Sequence, residues 1–182
     1  MTDTIPVRPT TPDDLPALTT LYRDAFADED LLPIVTDIVH MGDRALSLVS
    51  VDCETMVGHV AFSPCSVGAS PSALSLSPAP MALLAPLAVA PARQRQGIGR
   101  ALVEAGFAML RERGISHVFV LGDPAYYARL GFLAERAISP PYDLPDEWDG
   151  AWQSKALGAG GEPIKGRLEV PEIWQKPALW LP

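Results

Sequence analysis

LLAPLAVAPARQRQGIGRAL, residues 83–102, decides the fold of this chain. It begins with an apolar run that has the length and the Leu/Val content of a buried strand, and Pro91 ends this run. The polar segment Gln94–Gly99 follows and contains two glycines. The stretch therefore predicts a strand, a glycine-bearing loop and the start of a helix. The apolar residues of that helix recur at helical spacing, at Ile98, Leu102, Ala105 and Met109.

A loop of this kind at a helix N-terminus predicts an anion site, because the first helical N–H groups have no partner inside the helix and the positive end of the dipole lies there. Arg93, Arg95 and Arg100 crowd this helix start, where positive side chains are mildly unfavourable. The chain as a whole has a formal net charge of −8. A bound anion would make these arginines favourable, and a plain turn with solvated arginines is the alternative.

Two familiar phosphate-binding loops fit the stretch poorly. A P-loop is excluded because Gly99 is followed by Arg100 and Ala101 rather than by Lys and Ser or Thr. A dinucleotide fingerprint needs a third glycine where Leu102 stands. Asp123 lies at about the distance expected of a ribose-binding acid, so a Rossmann-type nicotinamide enzyme stays open.

A third pattern matches more of the chain. The series Val89-x-Pro91-x-x-Gln94-x-x-Gly97-x-Gly99-x-x-Leu102 resembles the acyl-CoA-binding signature of the GCN5-related N-acetyltransferase (GNAT) superfamily. Residues 122–132, GDPAYYARLGF, resemble the Tyr-x-x-x-Gly-Phe element of its YhbS-like branch. The resemblance implies an α/β fold (an α+β sandwich) with a mixed, mostly antiparallel central sheet, helices on both faces and a splayed strand pair.

The resemblance implies an N-acetyltransferase that moves an acetyl group from acetyl-CoA to a primary amine of a small molecule, a peptide or a protein, without a metal. A non-catalytic acyl-CoA-binding sensor is the other hypothesis. The diphosphate would lie on the loop amides, and the pantetheine arm would run along the strand. A main-chain N–H near Leu87 would bind the thioester oxygen, since Pro86 has no N–H to donate. The implied cofactor-binding residues are Leu87, Ala88, Val89, Arg95, Gln96, Gly97, Ile98, Gly99 and Arg100.

Tyr127 is the catalytic residue that the resemblance implies. It stands four residues before Gly131, at the position of the tyrosine that protonates the departing thiolate in related enzymes. A phenol with a pKa of about 10 is a reasonable acid for a thiolate whose conjugate acid has a pKa of about 8.5. Tyr126 is expected to point elsewhere on the helix. The alternative for Tyr127 is an aromatic ring that packs against the short helix.

No residue stands out as the general base, because Leu83–Val89 contains no Asp, Glu or His. His59 is expected to be a packed strand histidine. The acidic turn Ala27–Asp30 either meets a cationic substrate or is solvated. A water relay or a partly neutral amine would need no base. The candidate bases are His59, Glu54, Asp28 and Glu29.

Local patterns predict the remaining elements. Thr11 and Asp14 form a capping box around Pro12, which opens a helix. Gly114 ends the central helix, and Asp123 begins a short helix that ends at Gly131. We expect strands at 5–8, 45–51, 56–63, 83–89, 117–121 and 167–170, and the second and third should form a hairpin. Helices are expected at 30–40 and 97–113, and a loop or weak edge segment at 66–80.

Composition predicts one domain, residues 1–182, with a core at about 5–138 and an irregular Pro/Trp-rich segment at 139–182. That segment holds the loose run Gly158–Gly161 and all four tryptophans, which either line an acceptor pocket or simply bury area, the latter being expected. The pI of about 4.8 argues against nucleic acid. Neither a signal peptide nor a membrane span is predicted. Cys53 and Cys65 have no metal spacing, so we expect reduced thiols in a cytoplasmic protein, with a homodimer left open.

Overall fold

The structure, a computed structural model, describes residues 6–68, 80–148, 150–158 and 164–180. Residue contacts group the chain into two compact units. The first consists of Met1–Phe62 and Leu84–Met109, and the second of Ser63–Leu83 and Leu110–Pro182. The start of the first predicted strand, most of the predicted loop at 66–80 and most of the run Gly158–Gly161 lie outside the described residues.

The first unit begins with a strand that leads through a capping box into a helix. The Asp14 carboxylate accepts a hydrogen bond from the Thr11 N–H at 2.8 Å and two from the Arg8 guanidinium, each at 2.7 Å. The predicted capping box is thus confirmed. The elements that lie wholly or mainly in this unit are β1 (Val7–Pro9), α1 (Leu15–Ala25), α2 (Leu32–His40), β2 (Leu46–Asp52), β3 (Thr55–Val67), β4 (Met81–Val89) and α3 (Ile98–Glu112).

The predicted hairpin is formed by β2 and β3, which pair antiparallel down to Asp52 opposite Thr55. The two turn residues Cys53 and Glu54 have φ of 45° and 67°. Two consecutive positive φ angles define the turn that matches the natural twist of a two-residue hairpin. β1 pairs antiparallel with the outer side of β2, so the three strands form one antiparallel layer.

Helix α3 packs closely on β3 through two glycines. A Cβ at Gly58 would lie 2.8 Å from the Leu102 side chain, and one at Gly106 would lie 2.3 Å from the Phe62 ring. Ala105 and Met109, which the predicted apolar stripe includes, are only half-buried. The buried face lies slightly to one side of that stripe, because Gly106 lets the helix approach the Phe62 ring on this side. Its fully buried residues include Ile98, Leu102, Val103 and Phe107.

The second unit contains the parallel strand pair. Met81–Leu83 at the start of β4 pair in parallel with His117–Phe119 of β5. β8 pairs antiparallel with β5 and with β6, and β9 pairs antiparallel with the end of β3. The sheet is therefore mixed and largely antiparallel, as predicted. The further elements are β5 (His117–Leu121), α4 (Pro124–Tyr127), β6 (Leu133–Ala134), β7 (Ile138–Ser139), β8 (Trp152–Ala156) and β9 (Gly166–Glu169).

The structure changes three sequence predictions at their boundaries. Besides the predicted last strand, which is β9, residues 139–182 contribute a strand that was not predicted, β8. Ser66 belongs to β3 and pairs with Glu169 of β9, so this end of the predicted loop or weak edge segment is a strand. The second helix begins at Leu32 rather than at Asp30, whose carboxylate accepts the Leu32 N–H before the helix starts.

Candidate active site

The loop between β4 and α3 leaves a run of main-chain N–H groups without a backbone partner. In the described part of the chain, none of the amides of residues 95–100 donates a hydrogen bond to a main-chain carbonyl. The first such bond joins Ala101 N to Gly97 O, at 2.9 Å. Six consecutive donors at a helix N-terminus form a concentrated site of partial positive charge.

The sign of the backbone φ angle changes along this loop. Arg95 has φ of 60° and Gly97 has φ of 85°, so both lie in the left-handed region. Turns that place left-handed residues among right-handed or extended ones point neighbouring N–H groups into a shared concavity that suits anions. Gly97 is exposed, and a Cβ built on it would meet nothing within 4 Å. The glycine is therefore explained by its backbone angle rather than by crowding.

The three loop arginines differ in how they are paired. Arg93 donates to the Asp52 carboxylate at 2.7 Å, which lowers the pKa of Asp52. Arg100 donates to Glu104 at 2.8 Å, one helical turn further on. Arg95 is exposed and has no ion pair among the described residues. Of the three, its guanidinium is the one that remains available to an anion.

The strand end beside the loop has one buried and one accessible face. Ala88 packs in the core against Leu18 and Tyr22 of α1. Leu87 and Val89, which alternate with it, are only half-buried. The Gln94 side-chain amide donates to the Val89 carbonyl at 3.3 Å and so joins the loop to the strand. The predicted cofactor-binding residues thus lie together in the first unit.

Tyr127 ends the short helix α4 in the second unit. The Asp123 carboxylate accepts the Ala125 N–H at 2.8 Å, which confirms the predicted cap. The Tyr127 ring meets Phe132 and Tyr126 edge-on, with centroids 5.5 Å and 5.0 Å away. Tyr126 therefore does not point elsewhere, because two large rings on adjacent residues still reach each other. Burial raises the pKa of Tyr127, and the neighbouring Tyr126 raises it by a smaller amount.

His59 is not an accessible base. It is fully buried, with Nδ1 2.7 Å from the Tyr22 hydroxyl and Nε2 2.8 Å from Ser47 Oγ. Burial lowers the pKa of His59 to about 3. The expectation of a packed strand histidine is confirmed. The other candidate bases, Asp28, Glu29 and Glu54, are all exposed.

The tryptophans of the C-terminal segment serve the core. Trp152, Trp174 and Trp180 are buried, and each indole N–H has a hydrogen-bond acceptor within the second unit. Trp148 is half-buried. The expectation that these rings bury area is confirmed for three of the four. Sequence reasoning did not single out the buried Gln153, whose position in a polar stretch gave no signal.

Comparisons with known proteins agree with this geometry. Residues 15–132 match the family model described as acetyltransferase (GNAT) family. The uncharacterized N-acetyltransferase YhbS of Escherichia coli K12 is 34% identical over 145 residues, which cover 79% of this chain and 80% of the relative. The uncharacterized N-acetyltransferase YjhQ of the same strain is 35% identical over 139 residues, which cover 74% of each.

Two solved structures bear on the site. The crystal structure of E. coli YhbS in complex with CoA has a TM-score of 0.78 and 30% identity, covering 94% of this chain and 92% of its own. A GNAT family acetyltransferase from Brucella melitensis in complex with acetyl-CoA has a TM-score of 0.70 and 27% identity, covering 93% and 97%.

The fold defines an acyltransferase domain, and this chain belongs to the acetyltransferase (GNAT) family. It is an enzyme of the N-acetyltransferase class, which removes the Rossmann alternative. Over the described ranges, none of the helices combines the length and the apolar character that crossing a bilayer requires.

Proposed function

We propose that this protein transfers the acetyl group of acetyl-CoA to a primary amine of a small molecule, a peptide or a protein. The observation that carries the proposal is the run of six unpartnered amides at residues 95–100. A diphosphate supplies the acceptor oxygens that these donors lack, at the end of the helix where negative charge is stabilised. The relatives solved with CoA and acetyl-CoA support the choice of ligand.

Each part of acetyl-CoA has a proposed partner in the first unit. The diphosphate lies on the amides of Arg95–Arg100, and the free guanidinium of Arg95 adds a charge-assisted contact. The pantetheine arm runs along Leu87–Val89, where its amides extend the strand by main-chain hydrogen bonds. An N–H near Leu87 binds the thioester oxygen and then the oxyanion of the tetrahedral intermediate.

The reaction is a direct attack. The neutral amine nitrogen forms a bond to the thioester carbonyl carbon, the carbonyl oxygen becomes the oxyanion, and the C–S bond then breaks as the carbonyl re-forms. The nitrogen loses one proton to water, and the departing thiolate gains one from Tyr127. The Tyr127 phenolate then regains a proton from water, so the enzyme ends as it began. No base is assigned among the exposed acids Asp28, Glu29 and Glu54, since a water relay suffices for an amine that is partly neutral.

Tyr127 is the proposed acid. Burial raises its pKa, so the phenol is fully protonated at neutral pH and always has a proton to give. A thiolate that departs beside this phenol would be disfavoured by the same burial, which would raise the pKa of its conjugate acid as well. The two shifts act in opposite directions on the transfer, and we propose that the proton moves as the C–S bond breaks.

Calorimetric titration with acetyl-CoA tests the binding part. Gly97→Ala is expected to weaken acetyl-CoA binding at least tenfold, because the strained alanine displaces the amides of the loop. Gly114→Ala is the matched control, since Gly114 also has a positive φ, of 75°, and open space around it. Both variants should lose about 1 kcal/mol of stability, but only the first should lose affinity. Equal affinities would exclude the loop as the diphosphate site, as would binding of NADH alone.

Turnover tests the transfer and the role of Tyr127. With an amine panel, the wild-type protein should release free CoA, and Tyr127→Phe should lower kcat by about 10²-fold while the affinity for acetyl-CoA is retained. Absence of CoA release with every amine of the panel would contradict the proposed transfer to a primary amine.

We also propose a cytoplasmic location. Cys53 and Cys65 are free thiols, which agrees with it.

A further inference from the structure

Gln153 of the second unit is a buried polar residue whose side chain binds the backbone of Gly122. Only 2% of it is exposed, and its side-chain nitrogen donates to Gly122 O at 3.1 Å and to Ala151 O at 3.3 Å. Ala151 O also accepts the Gly122 N–H at 3.0 Å. Both polar groups of Gly122 are therefore bound, the carbonyl by Gln153 of β8 and the N–H by Ala151 just before that strand, at the point where β5 turns toward α4.

The Tyr127 ring lies against the same glycine. A Cβ at Gly122 would be 2.5 Å from Cε2 and 3.1 Å from Cδ2 of Tyr127. The ring thus touches the Gly122 backbone directly, with Phe132 and Tyr126 against its other sides. Since Asp123 caps α4, a shift of the Gly122 peptide would move both the start of the helix and the surface on which the ring packs.

We propose that Gln153 is a positioning residue, which fixes the Tyr127 hydroxyl by holding the Gly122 peptide. This inference rests on the proposed role of Tyr127 as the acid. A proton donor acts only within hydrogen-bond reach, and a displacement of about 1 Å can cost about 10²-fold in rate. A methionine at position 153 has a similar volume but leaves the Gly122 carbonyl without its donor, so the peptide is free to shift.

A double-mutant cycle in the full-length protein tests this coupling. Gln153→Met should lower kcat about tenfold and leave KM for acetyl-CoA within about twofold. In the Tyr127→Phe background, which keeps the ring but lacks the hydroxyl, Gln153→Met should lower kcat less than about twofold. A tenfold loss in both backgrounds would show a general structural effect and overturn the proposal, as would wild-type kcat in a folded Gln153→Met.

Gly122→Ala provides a second route that leaves Gln153 intact. Its Cβ would press on the Tyr127 ring, so we expect at least a tenfold lower kcat, again absent in the Tyr127→Phe background. Gly158→Ala is the matched control, because no atom lies within 4 Å of its Cβ. If Gln153→Met does not fold, wild-type kcat in Gly122→Ala overturns the inference.

The cycle separates the two proposals. If Tyr127→Phe alone keeps wild-type kcat, the acid role of Tyr127 and the role of Gln153 both fail, while acetyl-CoA binding at the loop stands. If Tyr127→Phe is impaired but Gln153→Met is not, only the role of Gln153 fails. Ser154→Ala, which removes a hydrogen bond to Glu135 from the same strand, should leave kcat unchanged in both backgrounds.

Discussion

Arg95 combines an unfavourable backbone with a free charge. Its φ of 60° places a long side chain in the left-handed region, which costs about 1–2 kcal/mol for a residue with a Cβ. Its side chain is exposed and has no ion pair among the described residues, and its own N–H is one of the loop amides without a main-chain acceptor. Strain of this kind collects at functional sites, where the geometry is needed for a ligand.

Replacing Arg95 by glycine should separate stability from binding. Arg95→Gly is expected to raise the free energy of unfolding by about 0.5–1 kcal/mol, because glycine adopts this φ without strain. It should also weaken CoA binding about tenfold, because the contact between guanidinium and diphosphate is lost. Urea unfolding and calorimetry measure the two effects.

Glu54→Gly controls for the relief of strain. Glu54 has φ of 67° and is exposed in the β2–β3 turn, so its replacement should give a similar gain in stability with unchanged affinity. If Arg95→Gly binds CoA as tightly as the wild type, the guanidinium does not contact the diphosphate.

At the scale of single residues, the sequence indicated the loop but not which of its arginines form ion pairs. Gly97 and Gly99 mark the loop because glycine spacing is local information. That Arg95 is unpaired whereas Arg93 reaches Asp52 depends on the β2–β3 turn, which lies far away in sequence. Gln153 was missed for the same reason, since its partners are carbonyls that only the folded strands bring near it.

One buried histidine connects three elements of the first unit. Ser47 Oγ donates to Thr10 Oγ1 at 2.8 Å, so it accepts the proton on Nε2 of His59. Nδ1 then accepts the hydroxyl proton of Tyr22 from α1. The chain of hydrogen bonds fixes a neutral tautomer and joins α1, β3 and β2 around the buried pair Tyr22 and His59.

The burial of His59 should make stability depend on pH. Its pKa is lowered to about 3, whereas an unfolded histidine has a pKa of about 6.5. Between these values the unfolded chain binds the extra proton, so stability is present at neutral pH and is lost as the pH falls. Below about pH 6 the free energy of unfolding should decrease by up to about 1.4 kcal/mol per pH unit from this group.

Urea unfolding at pH 7.5, 6.5, 5.5 and 4.5 measures this slope. The His59→Gln variant should be less stable than the wild type at pH 7.5. Its free energy of unfolding should fall less steeply with decreasing pH, and the difference between the two slopes should equal the contribution of His59. The folded-state pKa of Asp14 is lowered to about 2, so the stability that this carboxylate contributes is present above its unfolded pKa of about 3.9 and is lost mainly below the pH range measured. Parallel pH dependences in the wild type and the variant would show that His59 is not the group responsible.

Helices and hairpins followed from local rules, whereas strands without apolar alternation did not. Thr11 with Asp14, and Asp123 with Ala125, are caps that depend on a few neighbouring residues. β8 reads Trp-Gln-Ser-Lys-Ala, and its polar residues do not predict a strand. It becomes one because β5 and β6 supply partners on both sides.

Across the whole molecule, the C-terminal segment completes the core of the second unit. Trp152 stacks on Phe119 of β5 with centroids 5.6 Å apart and meets Trp180 edge-on at 6.1 Å. Trp174 donates its indole N–H to the buried Ser63 hydroxyl at 2.9 Å and accepts the Trp180 N–H on its carbonyl at 2.8 Å. The sequence showed the tryptophans, but their partners come from strands that lie up to 111 residues away.

Trp174→Phe tests whether these rings stabilise the unit or line a substrate pocket. The phenyl ring leaves a small cavity and removes the donor to the buried Ser63 hydroxyl, so the free energy of unfolding should fall by about 2–3 kcal/mol. KM for acetyl-CoA and for the amine should stay within about twofold, because the indole is buried and its N–H is bound to the Ser63 hydroxyl. Trp148→Phe, at a half-buried position, should cost less than about 1 kcal/mol. A tenfold rise in the amine KM with unchanged stability would instead place Trp174 at the acceptor.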